Sequence, residues 1–211
     1  MASRTSIRTQ APLDDTSGAA ASDRRQDILD AALACFAASG LEALSIDLVR
    51  QRCGASVGSI YHHFGSKEGI IAALFFDILQ EQSRSLQSRL EASLDVRSGV
   101  QALVLGYLDW VEAHPQRARF LFQARSVVAG GPRAPELAEH ARRRNEALLA
   151  WLGPRQRTGE LAAVPCELMP SLVLGPAQSY CRAWLSGGTG LPPPSHYREA
   201  LASAAWKSVA G

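Results

Sequence analysis

Residues 44–67 constrain the fold of this chain more than any other stretch: L-S-I-D-L-V-R-Q-R-C-G-A-S-V-G-S-I-Y-H-H-F-G-S-K. Ser45 and Ser56 are each suited to cap the start of a short helix. Between these helices, the small residues Cys-Gly-Ala at 53–55 interrupt the apolar spacing, and glycine allows the left-handed backbone of a sharp turn. Two short helices around a tight turn form a helix-turn-helix, whose second helix lies in a DNA major groove.

Apolar residues recur at helical spacing on both sides of this motif. They predict a helix from Asp23 to Ser39-Gly40, and a long helix that starts beside Ser66 and continues towards Leu90. Further helical segments follow to the end of the chain, and no stretch alternates convincingly as a strand. The predicted fold class is therefore all-α, with roughly nine or ten helices.

Three features predict where helices begin or end. Pro115 is suited to the first position of a helix, because its missing N–H would have no partner there. Gly153-Pro154 predicts the end of a helix, since proline cannot continue the hydrogen-bond ladder. Ser195 is expected to cap the last helix, after a turn-rich linker.

The first 22 residues are polar, lack apolar periodicity and contain Arg4 and Arg8. Such a composition favours a flexible N-terminal arm. The alternative is an arm that enters the minor groove of DNA.

Charge gives little indication of the partner. The chain carries 22 basic and 20 acidic residues, a net charge of +2, and the segment 23–67 contains equal numbers of each. DNA affinity would therefore depend on the local placement of a few donors, because bulk attraction is weak.

The remaining composition indicates a cytoplasmic protein without metal or cofactor. Four cysteines are scattered without a C-x-x-C pair, so reduced thiols in apolar surroundings are expected. The N-terminus lacks the apolar region of a signal peptide, and no apolar stretch is long enough to span a bilayer. His114, His140 and His196 are isolated, and no phosphate loop or hydrolase motif occurs, which argues against an enzyme.

Residues 53–68, C-G-A-S-V-G-S-I-Y-H-H-F-G-S-K-E, resemble the DNA-binding signature of the TetR family of transcriptional regulators. The usual form is A-G-V-S-x-G-x-(aliphatic)-Y-x-(aromatic or His)-F-x-(Ser or Asn)-K-(acidic). The resemblance implies an N-terminal three-helix DNA-binding domain at 23–69, with its helix-turn-helix at about 45–64. A long helix would join this domain to a helical ligand-binding and dimerisation bundle at 70–211.

Hydroxyl, imidazole and ammonium groups of the motif can donate to phosphates or base edges. Val57 stands where many family members carry a polar residue, and it can touch a thymine methyl. Gly58 would allow a close approach to the DNA backbone, whereas Ile60 and Phe64 are expected in the core. His63 is left open between packing and phosphate binding. The predicted DNA-binding residues are Ser45, Ser56, Val57, Ser59, Tyr61, His62 and Lys67.

The resemblance also implies a homodimer through the last two long helices, here 166–185 and 195–209. The alternative is that their apolar residues fill the core of a monomer. The residues concerned are Leu168, Leu172, Tyr180, Trp184, Leu201 and Trp206. Aromatic residues that could line an effector pocket, or equally pack in the core, are Tyr107, Trp110, Phe120, Phe122, Trp151 and Tyr180.

These observations lead to the expectation of a ligand-responsive, dimeric repressor. It would bind a double-stranded DNA operator with two-fold-related half-sites, and an unknown small-molecule effector would tilt the long helix and release the operator. The alternative is an architectural, nucleoid-associated DNA-binding protein without an effector.

Overall fold

Residues 15–187 and 190–211 are described in a computed structural model, and within them the fold is all-α, as predicted. An isolated bridge between Leu161 and Ala210 is the one β-type pairing found in these residues. The helices are α1 Asp15–Ala43, α2 Ile46–Cys53, α3 Val57–Phe64, α4 Lys67–Glu91, α5 Val96–Ala113, α6 Pro115–Gly130, α7 Ala134–Arg157, α8 Met169–Leu185 and α9 Arg198–Val209. Two 3₁₀ turns, Cys166–Leu168 and Pro194–Tyr197, precede α8 and α9.

The first helix differs from the predicted one at its beginning. It starts at Asp15, so the last part of the predicted N-terminal arm is helical, in keeping with the helix propensity of its alanines. The other part of that prediction, residues 1–14, lies outside the described residues. The helical run is interrupted at Gly40 (φ 81°, ψ 176°), as the Ser39-Gly40 pair predicts.

The fourth helix is central to the fold, because four other helices pack against it. Ser66 caps it by accepting a hydrogen bond from the Gly69 N–H at 3.1 Å, and its 25 residues extend for about 37 Å. The apolar run Ile70–Phe76 is buried over the whole circumference of the helix. Such all-round burial is possible because α1, α3, α5 and α6 all pack against α4.

The N-terminal helices also contact the remaining bundle independently of α4. Phe36 of α1 meets Phe120 of α6 edge to face, with ring centroids 5.0 Å apart. One continuous apolar cluster extends from Ile28 to Val209. The long helix is therefore accompanied by a second, packed connection that the sequence did not predict.

Two predictions of helix ends are wrong. The seventh helix continues through Gly153-Pro154 to Arg157. Proline removes one backbone donor, but Arg155 holds this turn by donating to the Trp151 carbonyl at 2.6 Å, with its guanidinium 3.9 Å from the Trp151 ring centroid. Ser195 does not cap the last helix, because it lies inside a 3₁₀ turn and α9 begins only at Arg198. Its backbone N–H donates to the Glu112 carboxylate of α5.

The cysteine side chains that the structure describes are unpaired thiols. Cys35 and Cys181 are buried and Cys53 is half-buried. Burial raises the pKa of the Cys181 thiol to about 12, so this thiol is protonated at neutral pH. Among the described helices, none is both long and apolar enough to cross a membrane.

Candidate DNA interface and ligand cavity

The second and third helices form a helix-turn-helix with the predicted caps. Ser45 Oγ accepts a hydrogen bond from the Leu48 N–H at 3.3 Å, and Ser56 Oγ accepts one from the Ser59 N–H at 3.1 Å. The turn between them depends on Gly54, whose φ of 66° is left-handed. Both serines therefore use their hydroxyls within the motif, where they satisfy helix N–H groups that otherwise lack a partner.

The inner face of α3 fixes the position of this short helix. Ile60 is fully buried and Phe64 is half-buried against the core. An eight-residue helix is marginal in isolation, so these contacts are needed to hold it. The predicted core positions of both residues agree with the structure. His63 is half-buried, and its ring lies 5.9 Å from that of Phe64.

The outer face of α3 is open to solvent. Val57 is 44% exposed and Tyr61 is 52% exposed, and their spacing of four places them on one side of the helix. His62 is exposed beside them, and Ser59 is half-buried. A large apolar and aromatic surface on so short a helix is a candidate contact surface.

Two glycines in this region have opposite surroundings. A Cβ on Gly58 would have only Ser56 Oγ, at 4.0 Å, nearby. A Cβ on Gly69 would lie 1.8 Å from the backbone oxygen of Phe64. Gly69 therefore allows α4 to approach the end of α3, whereas within the chain Gly58 has room for a side chain.

Lys67, the first residue of α4, forms a hydrogen bond to the end of α1. Its ammonium donates to the Glu42 carbonyl at 2.9 Å, which ties the start of α4 to the end of α1. This contact was not predicted, and no sequence pattern indicates it, because the two residues meet only after folding. An ammonium has three donors, so Lys67 retains capacity for a phosphate.

A cavity of about 490 Å³ lies between α4, α7 and α8, and Leu103 of α5 also lines it. Its volume falls within the range of roughly 300–1,000 Å³ that is common for small-molecule sites. The lining residues are Gln80, Ser83, Arg84, Leu86, Gln87, Leu90, Glu91, Leu103, His140, Arg143, Arg144, Ala147, Leu148, Trp151, Pro170, Ser171, Leu174, Gly175 and Gln178.

Of the six aromatics predicted for a pocket, the structure brings only Trp151 to this cavity. Tyr107, Trp110 and Phe120 are buried in the core, and burial raises the pKa of the Tyr107 hydroxyl. The other two lie elsewhere: the Phe122 ring is 5.3 Å from the Arg182 guanidinium, and the Tyr180 hydroxyl donates to the Pro192 carbonyl at 2.8 Å. Helical spacing of aromatics does not distinguish a core face from a pocket face.

The three consecutive arginines at 142–144 have two different kinds of surroundings. Arg142 and Arg143 both donate to Glu139, and these bonds lower the pKa of its carboxyl to about 2. Arg143 and Arg144 both line the cavity, but Arg144 lies beside Arg125 and His140 and has no bond to Glu139. Sequence reasoning missed the basic part of the cavity, although the run itself was a visible signal.

The fourth helix links this cavity to the candidate DNA interface. It carries Lys67 at one end and supplies one wall of the cavity from Gln80 to Glu91. Glu81 anchors it to two neighbours: it accepts from Trp110 Nε1 of α5 at 3.2 Å and pairs with Arg117 of α6. Any displacement of α4 at the cavity must therefore disturb these polar contacts or move α5 and α6 with it.

Half-buried apolar side chains lie on the last two helices and just before α8. Leu168 is 47% exposed, and Leu172, Trp184, Leu201 and Trp206 are partly buried against the core.

The described residues contain no cluster of side chains suited to hold a metal ion.

The family model described as bacterial regulatory proteins, tetR family, matches residues 28–74. This range covers the second half of α1, all of α2 and α3, and the start of α4. The transcriptional repressor KstR2 of Rhodococcus jostii (strain RHA1) is 33% identical to this chain over 122 residues. That alignment covers 57% of this chain and 59% of the relative, so it spans less than two thirds of KstR2. TtgW of Pseudomonas putida, an uncharacterised helix-turn-helix regulator, is 30% identical over 102 residues, 48% of this chain and 72% of TtgW.

The whole fold has a counterpart among solved structures. A TetR family transcription regulator from Marinobacter aquaeolei VT8 superposes with a TM-score of 0.73. The superposition covers 92% of this chain and 98% of the other, at 19% sequence identity. At that identity the likeness establishes the fold alone.

Proposed function

Because the chain belongs to the TetR family of bacterial regulatory proteins, we propose that it is a homodimeric, DNA-binding transcriptional repressor. A small-molecule effector would release it from its operator. In this proposal residues 23–69 bind DNA, and residues 70–211 bind the effector and the second subunit. The similarity to KstR2, itself named a repressor, favours repression over activation. The protein would act in the cytoplasm, where its operator DNA is.

The observation that carries the proposal is the solvent-facing side of α3. Val57, Tyr61 and His62 are exposed there and lie beside the positions of Gly58 and Ser59. A hydroxyl and an imidazole can donate to phosphates or base edges, and Val57 can contact a thymine methyl. Ser45, Ser56 and Lys67 would contribute phosphate contacts at the ends of the helices, in addition to their bonds within the fold.

Two copies are needed for specific binding, because one eight-residue helix contacts only a few base pairs. In a dimer two such helices would meet half-sites about 34 Å apart, one helical turn of DNA. The apolar side chains on α8 and α9 support this arrangement, since they are only half-buried within one subunit.

Release would follow from differential binding. An effector that binds the cavity more tightly in the DNA-incompetent conformation shifts the population towards that conformation. The motivating observation is that α4 lines the cavity and also carries Lys67. The Phe36–Phe120 contact supports a motion in which α1 and α6 move together.

The test is selection of bound sites from random DNA with the purified protein, followed by footprinting. We expect one short, two-fold-related sequence and protection of both half-sites. Binding without sequence preference and without a defined footprint would favour the architectural protein over the regulator. If every molecule that binds the cavity leaves operator affinity unchanged, the release model is wrong.

A further inference from the structure

The cavity has two chemically different ends. Ser83 and Arg84 of α4 face His140 and Arg144 of α7 at one end. The other end is mostly apolar and begins about one turn further along both helices. Its apolar side chains are Leu86, Leu90, Leu103, Leu148, Trp151 and Leu174. From Ser83 to Leu90 the distance along the α4 axis is about 10 Å, which is enough for a short alkyl chain.

We propose that the effector is an apolar molecule with one anionic group, a carboxylate or a phosphate, held by Arg144 and Arg125. The inference rests on the proposed function, because it names the chemical class that the cavity of the regulator accepts. Three observations support it. A second, small cavity shares one wall with the large one, that wall carries positive charge, and Glu91, the carboxylate that lines the large cavity, lies at the other end.

The basic end continues into a second, small cavity of about 10 Å³. Ser83, His140 and Arg144 line both cavities, and Arg125 of α6 lines the small one. A cavity of that size holds about one water molecule. The end group of a ligand would therefore lie in the large cavity against Ser83, His140 and Arg144, with the charge of Arg125 nearby. A hydroxyl, an imidazole and two guanidinium groups are suited to bind the oxygens of an anion.

The charge on this shared wall is not neutralised within the chain. In residues 15–187 and 190–211, no carboxylate lies within ion-pairing distance of Arg144 or Arg125. The side chains of Arg144 and Arg125 are both exposed to solvent. The protein atoms around Arg144 and the charge of Arg125 lower the pKa of Arg144. The guanidinium remains protonated at neutral pH. Two neighbouring positive charges without a carboxylate partner favour a bound anion.

The other charged groups of the cavity have different partners. Arg143 donates to Glu139 at 2.6 Å, and Arg84 contacts the Gln80 carbonyl at 3.4 Å. Glu91, the carboxylate that lines the cavity, lies two turns of α4 beyond Ser83 and accepts from Gln87 at 2.8 Å. The positive end is therefore separated from the acidic residue. Arg84 has no carboxylate partner among the described residues, so it adds positive charge to the same end as Arg144.

Calorimetric titration of the purified chain without DNA tests this inference. The probes are decanoate and decyl phosphate, with 1-decanol as the uncharged molecule of the same chain. We expect both anions to bind roughly tenfold or more tightly than decanol, because charge-assisted hydrogen bonds are lost in the alcohol. Shortening decanoate to hexanoate should weaken binding by up to roughly fourfold per methylene. The tighter of the two anions identifies the headgroup.

Two variants assign the anion to its residues. Arg144→Gln and Arg125→Gln should each weaken decanoate and decyl phosphate roughly tenfold or more, and leave decanol unchanged. Arg157→Gln is the matched control, since Arg157 is exposed on the same helix and does not line the cavity. Thermal melting of each variant checks that the fold is retained.

The inference is overturned if decanol binds as well as the anions, if neither anion binds, or if both variants bind the anions like the unmodified protein. Operator binding, measured separately, keeps it distinct from the proposed function. A protein that binds its operator but no anion contradicts the ligand class alone. A protein that binds the anions through Arg144 but binds no DNA sequence contradicts the regulator alone.

Discussion

At the residue scale, substitution of Gly58 tests DNA binding, whereas substitution of Gly69 tests the packing of the fold. Gly58→Ala should leave stability unchanged or raise it by roughly 0.5–1 kcal/mol, because alanine favours a helix and the site is open. The same change should weaken operator binding, since the new methyl group would face the DNA backbone. Anisotropy titration with operator DNA and thermal melting measure the two effects.

Gly69→Ala is the contrasting variant. Its methyl group would lie 1.8 Å from the Phe64 carbonyl oxygen, so α3 and α4 must separate. We expect a loss of about 2–3 kcal/mol in the free energy of unfolding, with DNA binding lost as a consequence. A Gly58→Ala protein that binds its operator with full affinity would contradict the close approach of α3 to DNA.

Lys67 is a second residue at which two contributions can be separated. Lys67→Ala should weaken binding to all DNA sequences alike and lower the slope of log affinity against log salt by about one, if the ammonium contacts one phosphate. Loss of the bond to the Glu42 carbonyl should also cost about 1 kcal/mol of stability. Titrations at several salt concentrations and chemical denaturation measure these changes.

Arg157→Ala is the control for this prediction, because Arg157 is exposed at the end of α7, outside both the helix-turn-helix and the proposed dimer helices. It should alter neither the salt slope nor the stability. An unchanged slope for Lys67→Ala, together with a loss of stability, would assign Lys67 to the fold alone.

At the scale of elements, the start of α4 connects the helix-turn-helix to the cavity. Ser66→Ala removes the oxygen that accepts the Gly69 N–H, and it should destabilise the protein by about 1 kcal/mol. Ser66→Asp keeps a capping oxygen and places a negative charge at the helix N-terminus, so it should retain stability. Equal melting temperatures for the two variants would show that the cap contributes nothing measurable.

The helices also show where sequence patterns reach their limit. The caps at Ser45, Ser56 and Ser66 follow from bonds within four residues, and the structure has all three. The predicted end at Gly153-Pro154 failed because Arg155 holds the final turn through Trp151. A proline signal gives the local cost of continuing a helix but not the side-chain contacts that offset it.

At the scale of the whole molecule, the proposed dimer can be tested at Leu168, which is 47% exposed beside α8. Leu168→Glu should leave the monomer folded but place a charge in the apolar interface, and shift the protein towards monomers in sedimentation experiments. Operator affinity should fall by roughly two orders of magnitude or more, because two linked half-sites bind far more tightly than one.

Leu94→Glu is the matched control, since Leu94 is 99% exposed in the segment between α4 and α5. It should remain dimeric and keep operator affinity. If the Leu168→Glu protein stays dimeric, the start of α8 is not part of the interface. Trp206→Ala would then test the contribution of α9 separately.

The sequence by itself determined the all-α class, the helix-turn-helix and its family, because caps, turn glycines and apolar spacing act over a few neighbouring residues. Only the tertiary structure decided the site in the bundle. Its walls come from positions near 80–91, 140–151 and 170–178, together with Leu103, and these surround one cavity only in the folded chain. Packing also left Trp151 as the one predicted aromatic at the cavity, and it left Arg144 without the Glu139 partner that Arg142 and Arg143 share. Helical spacing shows that a face is apolar, but what that face meets depends on helices far apart in the chain.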